Sequence, residues 1–302
     1  MDRFVADPEW HGLIIAYFYL GGIAAGAYAA ACLARLFGDE EDRRATRAAF
    51  YLAFPLVSVC GLLLVVDLGR PERFWHMVIQ SNTGRPMFKW WSPMSVGSMG
   101  LSLFGFFSFA SFLGVMAQDG RLGLGRFSGL ATRLEHGPLA RLFELGGLLS
   151  AFFLGSYTGA LLSASNQPVW AQSTWIAPLF LASATSTGVA AVILMDRLRG
   201  RDLPEHAIAR LERLDAFAMA LEMLLLVVFA VSLGRAFAPA FRSWPGVLVP
   251  AFVVPVGLLI PLALRIRAWK HRELVGAVLV LIGGLVLRAA VVGMPAIFLE
   301  HG

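Results

Sequence analysis

Eight long apolar runs, separated by short charged connections, divide this 302-residue chain. They fall at about 13–36, 49–67, 93–117, 141–163, 173–195, 216–234, 246–264 and 274–298. A segment of about 20 apolar residues in helical form crosses the hydrocarbon layer with its backbone polar groups satisfied internally. The runs are too continuous for the alternating strands of an outer-membrane barrel. Composition agrees: the chain is 58% hydrophobic and 15% charged, against roughly 25% charged in soluble domains. Disorder, a coiled coil and a conventional soluble enzyme are excluded. The expected fold is an all-α polytopic membrane protein, one integral domain over 1–302, with eight transmembrane helices in two four-helix bundles. Span seven carries Pro250, Pro255 and Pro261, which predict a kink. The first run lacks a basic leader and is long enough to span, so it reads as a retained helix.

Lys and Arg set the expected orientation. The 1–2, 3–4, 5–6 and 7–8 connections hold 17 of them, against 7 in the N-terminal stretch, the other loops and the C-terminal tail. The first group is therefore expected in the cytoplasm and both termini on the outer, periplasmic side. The net charge of +5 is a topology signal; no soluble basic face for nucleic acid is present.

Redox ligands are scarce. Cys32 and Cys60 are the two cysteines, whereas an iron–sulfur cluster takes four thiolates as a rule. The six histidines, His11, His76, His136, His206, His271 and His301, fall in termini, loops or span ends. No span offers an axial pair for haem. Redox chemistry here would rest on electrons brought by a partner.

Two segments on the expected outer side carry polar chemistry. The 2–3 loop opens Asp67-Leu68-Gly69-Arg70-Pro71-Glu72-Arg73-Phe74-Trp75-His76. Pro71 suits the first turn of a short helix, and Glu72 its positive end. An amphipathic helix there would put Phe74, Met77 and Val78 on one face and Arg73, His76 and Gln80 on the other. Phe74, Trp75, Trp90 and Trp91 read as interfacial anchors. Asp67 ends an apolar run. It reads either as an ion-pair partner of Arg70 or Arg73, or as a partly desolvated, proton-exchanging acid. The second segment, at the end of span four, runs from Ser156-Tyr157-Thr158-Gly159 to Asn166-Gln167-Pro168-Val169-Trp170. Its small residues permit close helix contact or leave room for a flat ring.

The Asp-Leu-Gly-Arg-Pro-Glu-Arg-Phe segment resembles the NrfD/PsrC family, the membrane subunits of polysulfide-reductase-like complexes. Gly21-Gly22-Ile23-Ala24-Ala25-Gly26 in span one and the Ser-Tyr-Thr-Gly and Pro-Val-Trp stretches agree, and the likeness extends over the eight-span layout. The resemblance implies a membrane subunit of a respiratory oxidoreductase complex in the bacterial inner membrane. It implies a quinone site, for menaquinone or ubiquinone, on the outer side of about residues 1–165. Residues 166–302 form the second helical half. It also implies a four-cluster ferredoxin-like iron–sulfur partner and usually a molybdopterin catalytic subunit.

Carried over by motif, Tyr157 matches the tyrosine near the quinone and Asp67 the acid of the Gly-Arg-Pro segment. Tyr17 stands where some relatives carry a histidine. Tyr157 and Tyr17 then donate to the quinone, with Arg70 beside them, and Asp67 with His76 handles protons. Three charges lie inside spans: Glu144, Glu222 and Arg288. They read either as structural pairs or as a proton path. The runs place Glu222 about 9 Å and Arg288 about 20 Å from the cytoplasmic ends of their spans, at 1.5 Å per residue. Direct pairing would then require tilted helices. A secondary transporter and a purely structural anchor are the alternative classes. A transporter would require paired broken helices at the midplane of two repeats, and only span seven offers one.

Overall fold

A computed structural model describes residues 12–38, 43–121, 123, 125, 129, 137–200, 203–266 and 271–296. Eight helices are long and apolar enough to cross a membrane. They are α1 (Gly12–Phe37), α2 (Arg43–Asp67), α3 (Pro93–Gln118), α4 (Pro138–Ser163), α5 (Ile176–Leu198), α6 (Glu205–Ser232), α7 (Trp244–Ile266) and α8 (Arg272–Gly293). The connections 2–3, 4–5 and 6–7 share one face, here called upper, with the start of α1. His11, His136, His301 and both termini lie outside the described residues.

Helices α1–α4 form one bundle and α5–α8 the other, with α1 also packed on α5 and α8. Glycines let this junction close. Gly26 abuts the Ala184 carbonyl and Gly188 the backbone at Gly26 and Ala27, so a Cβ at either site would strike main chain. The buried apolar residues form two clusters, and each draws on both halves. One joins Tyr17, Phe18 and Cys60 to α5, α6 and α8; the other joins Tyr28, Phe50 and Phe104 to Val189, Ile193 and Leu211.

Three elements differ from the sequence expectation. First, α6 begins at Glu205, not near 216. Its first three turns hold Glu205, Arg210, Glu212, Arg213 and Asp215, which look like loop by hydropathy. Yet Ala207, Ile208, Leu211 and Asp215 are buried on one face, the pattern of an amphipathic extension. Second, the segment after Asp67 is a single short 3-10 helix, Pro71–Met77. Residues i and i+3 eclipse in that geometry, so Phe74 and Met77 still align, but Gln80 has left the helix for a turn with Gly84. Third, Val249–Leu259 within α7 winds as a π-helix with Pro255 inside it. Proline removes the amide that α-helical pairing requires, and the wider winding accommodates the gap.

In the 4–5 loop, Val169 takes a positive φ of 72°, a strained setting for a β-branched residue. Beside it Trp170 is fully buried and donates from Nε1 to the Val291 carbonyl at 2.7 Å. The loop is thereby tied to α8.

Candidate functional site

The upper face of the first bundle holds a cavity of about 550 Å³. Its walls come from α1 (Ile14, Tyr17, Phe18), the end of α2 (Gly61 to Asp67), the 3-10 turn (Phe74, Met77, Val78), α3 (Met94 to Ser102) and α4 (Tyr157, Leu161). The size falls within the range of small-molecule sites, and the walls are mostly apolar with a few convergent polar groups.

Three sequence-named residues meet here. Asp67 stands at the rim and is exposed, and among the described residues it forms no ion pair with Arg70 or Arg73. Tyr17 contributes its ring, and its hydroxyl hydrogen-bonds none of the described residues. Tyr157 is committed. Its hydroxyl donates to the Pro93 carbonyl at 2.7 Å, its ring stacks on Phe153 at 5.4 Å, and Gly97 leaves the room for it. The remaining two residues do not line the cavity. His76 packs on Trp75, with ring centroids 3.8 Å apart, and Arg70 is exposed beyond the turn. Phe74, expected as an interfacial anchor, forms part of the cavity wall.

A second polar site lies across α1. Arg288 is 1% exposed. It donates from Nε to the Phe18 carbonyl at 3.1 Å, and from Nη1 to the Gly284 carbonyl at 2.9 Å and Ser183 Oγ at 3.2 Å. Its guanidinium lies 5.4 Å from the Phe180 ring centre and 5.9 Å from that of Tyr19. A side chain at Gly22 would strike the guanidinium, so this glycine forms part of the cradle. Buried Glu222 lies within electrostatic range of Arg288 and Ser183.

The longer α6 corrects the depth argument. Glu222 lies 17 residues after Glu205 and Arg288 16 after Arg272, so each is about 25 Å from the lower end at 1.5 Å per residue. The two therefore lie at the same depth without tilt.

Sequence reasoning missed Asp215 and Arg265. Asp215 accepts from Ser186 Oγ at 2.6 Å and pairs with Arg265, which also donates to the Glu212 carbonyl. The i, i+7 spacing of Asp215 and Glu222 was the available signal that both occupy one helix face. Below them, Glu273 pairs with Arg197 at Nε (3.0 Å) and Glu212 with Arg272 (3.7 Å). Glu144 belongs elsewhere. It pairs with Arg35 at 3.3 Å near the lower end of the first bundle.

These features define a multi-pass helical membrane protein with a ligand-sized cavity on the upper face of its first bundle and an ionic row in its second. Residues 6–300 match the family described as polysulphide reductase, NrfD, and the chain belongs to that family. It is 29% identical to a polysulfide reductase chain of Wolinella succinogenes over 92% of both proteins. It is also 29% identical to protein NrfD of Escherichia coli over 87% of this chain and 86% of that one. A selenate reductase subunit of Mesobacillus selenatarsenatis matches over 26% of this chain and 18% of its own length, at 29% identity. The chain is accordingly a multi-pass inner-membrane protein, a membrane subunit of the respiratory oxidoreductase class.

Proposed function

We propose that this chain exchanges electrons and protons between membrane quinone and an iron–sulfur subunit docked on the upper, outer face, with a molybdopterin subunit beyond. The observation that carries the reading is the cavity itself: apolar walls, a tyrosine hydroxyl free to donate, and a carboxylate at the rim. Family membership and the reductase names of the relatives support the same class.

A bound quinone takes up two electrons and two protons on reduction. Tyr17 supplies the hydrogen-bond donor to a ring carbonyl. Tyr157, whose proton points to Pro93, holds the α3–α4 wall and offers only a lone pair. Asp67 moves protons between the cavity and water. Arg70 and His76 act at the mouth, outside the lining. The apolar walls exclude water from the ring.

The proton-path reading of the in-span charges also changes shape. Glu222 and Arg288 form its inner end, through Ser183, and Asp215 with Arg265 continues it toward the lower face. Glu144 lies on the other bundle and drops out.

Binding of a quinone-analogue inhibitor to the purified complex tests the main reading. The wild type should bind it, and Tyr17→Phe should weaken binding about tenfold, the equivalent of one good hydrogen bond. No binding to the wild-type complex would overturn the assignment. For the proton path, Glu222→Gln in liposomes should abolish uptake from the lower side while quinol turnover persists.

A further inference from the structure

The cavity does not end at its polar rim. Leu101 and Ser102 form its lower edge and also the upper edge of an open groove of about 480 Å³ on the outside of the first bundle. Phe54, Val57 and Ser58 of α2 make one side of the groove, and Gly105, Phe106 and Phe109 of α3 the other. The two serines in it present no free donor to the groove. Ser58 Oγ donates to the Phe54 carbonyl and Ser102 Oγ to the Ser98 carbonyl, both at 2.8 Å. Its floor is an aromatic cluster: the Phe54 ring lies 4.9 Å from Phe109 and 5.2 Å from Phe112. The groove thus shares two wall residues with the ligand cavity, is mostly apolar and opens on the outside of the bundle. Gly105 borders open space, where a Cβ meets no atom within 4 Å.

We propose that this α2–α3 groove is the seat of the quinone's isoprenoid tail beyond its first unit. The proposal rests on the quinone reading above. An isoprenoid chain attached to a ring in the cavity is apolar and has no path through the polar rim. The groove adjoins the cavity at Leu101 and Ser102 and lies on the outside of the bundle about two helical turns below Ser98. Ser58 and Gly105 then discriminate between quinones by their tails and leave recognition of the ring to Tyr17.

The test uses the assembled complex and two substrates with the same ring, one carrying a long isoprenoid tail and one a single isoprene unit. Gly105→Phe and, from the opposite wall, Ser58→Phe fill the groove. Each should raise KM for the long-tailed quinone about tenfold, the loss expected when roughly 55 Å² of apolar tail goes unburied. KM for the one-unit analogue should stay within about twofold. Unchanged KM for both substrates in the phenylalanine variants would mean that the groove holds only lipid acyl chains, and would overturn the proposal. An equal rise for both would overturn it too, because the ring site would then be what was disturbed. A wild-type complex that turns over neither quinone removes the quinone reading, and the tail seat with it.

Discussion

Residues 17 and 18 of α1 look in two directions. On one side Tyr17 and Asp67 line an open, apolar-walled cavity, their side chains without hydrogen-bond partners among the described residues. On the other, the Phe18 carbonyl belongs to a dry cradle in which Arg288 gives three hydrogen bonds and lies near two aromatic rings. Polar groups held in reserve have something left to offer a ligand. Polar groups already satisfied have nothing to offer and much to lose, because a buried charge stripped of its partner is costly. The first site should therefore tolerate mutation structurally and fail functionally, and the second should fail structurally first.

The largest expected effect is on the second site. Arg288→Leu leaves Glu222 buried without its counter-charge and should destabilise the protein by about 3–5 kcal/mol. The detergent-solubilised complex would show this as a large fall in melting temperature or a failure to accumulate. The double variant with Glu222→Leu should recover at least about 1 kcal/mol of that loss, through coupling between neighbours. Additive losses would mean that the two charges do not sense each other. Next, Tyr17→Phe should weaken quinone binding about tenfold with an unchanged melting temperature. A large drop in stability there would erase the contrast between the sites. Asp67→Asn should lower kcat severalfold with KM nearly constant, since it removes a proton carrier and no wall. Tyr157→Phe is the smallest: it forfeits the bond to Pro93, about 1 kcal/mol, and should affect quinone kinetics less than Tyr17→Phe. The reverse order would make Tyr157 the donor.

Most of the architecture is legible in the sequence because spans announce themselves by length and hydropathy alone. Asp67, Tyr17 and Tyr157 are legible too, two by motif and one by its place in span one, although sequence does not tell which hydroxyl is already engaged. That depends on the Pro93 carbonyl, 64 residues away. The start of α6 is hidden because hydropathy averages over both faces of a helix, and five charges outweigh Ala207, Ile208 and Leu211. That error displaces Glu222 and conceals that it lies at the depth of Arg288. The His76 side of the 2–3 loop misleads for a related reason. The sequence suggests a 3.6-residue period where the chain winds with three residues per turn, and the outward face is shorter than expected.

The bond from Arg288 to residue 18 ends on the main chain, not on a side chain. Every amino acid placed there brings the same carbonyl. Selection can therefore reshape the cavity wall at position 18, to suit a bulkier or slimmer ring, and keep the acceptor that Arg288 uses. The cavity wall and the anchor of the buried guanidinium meet in a single residue.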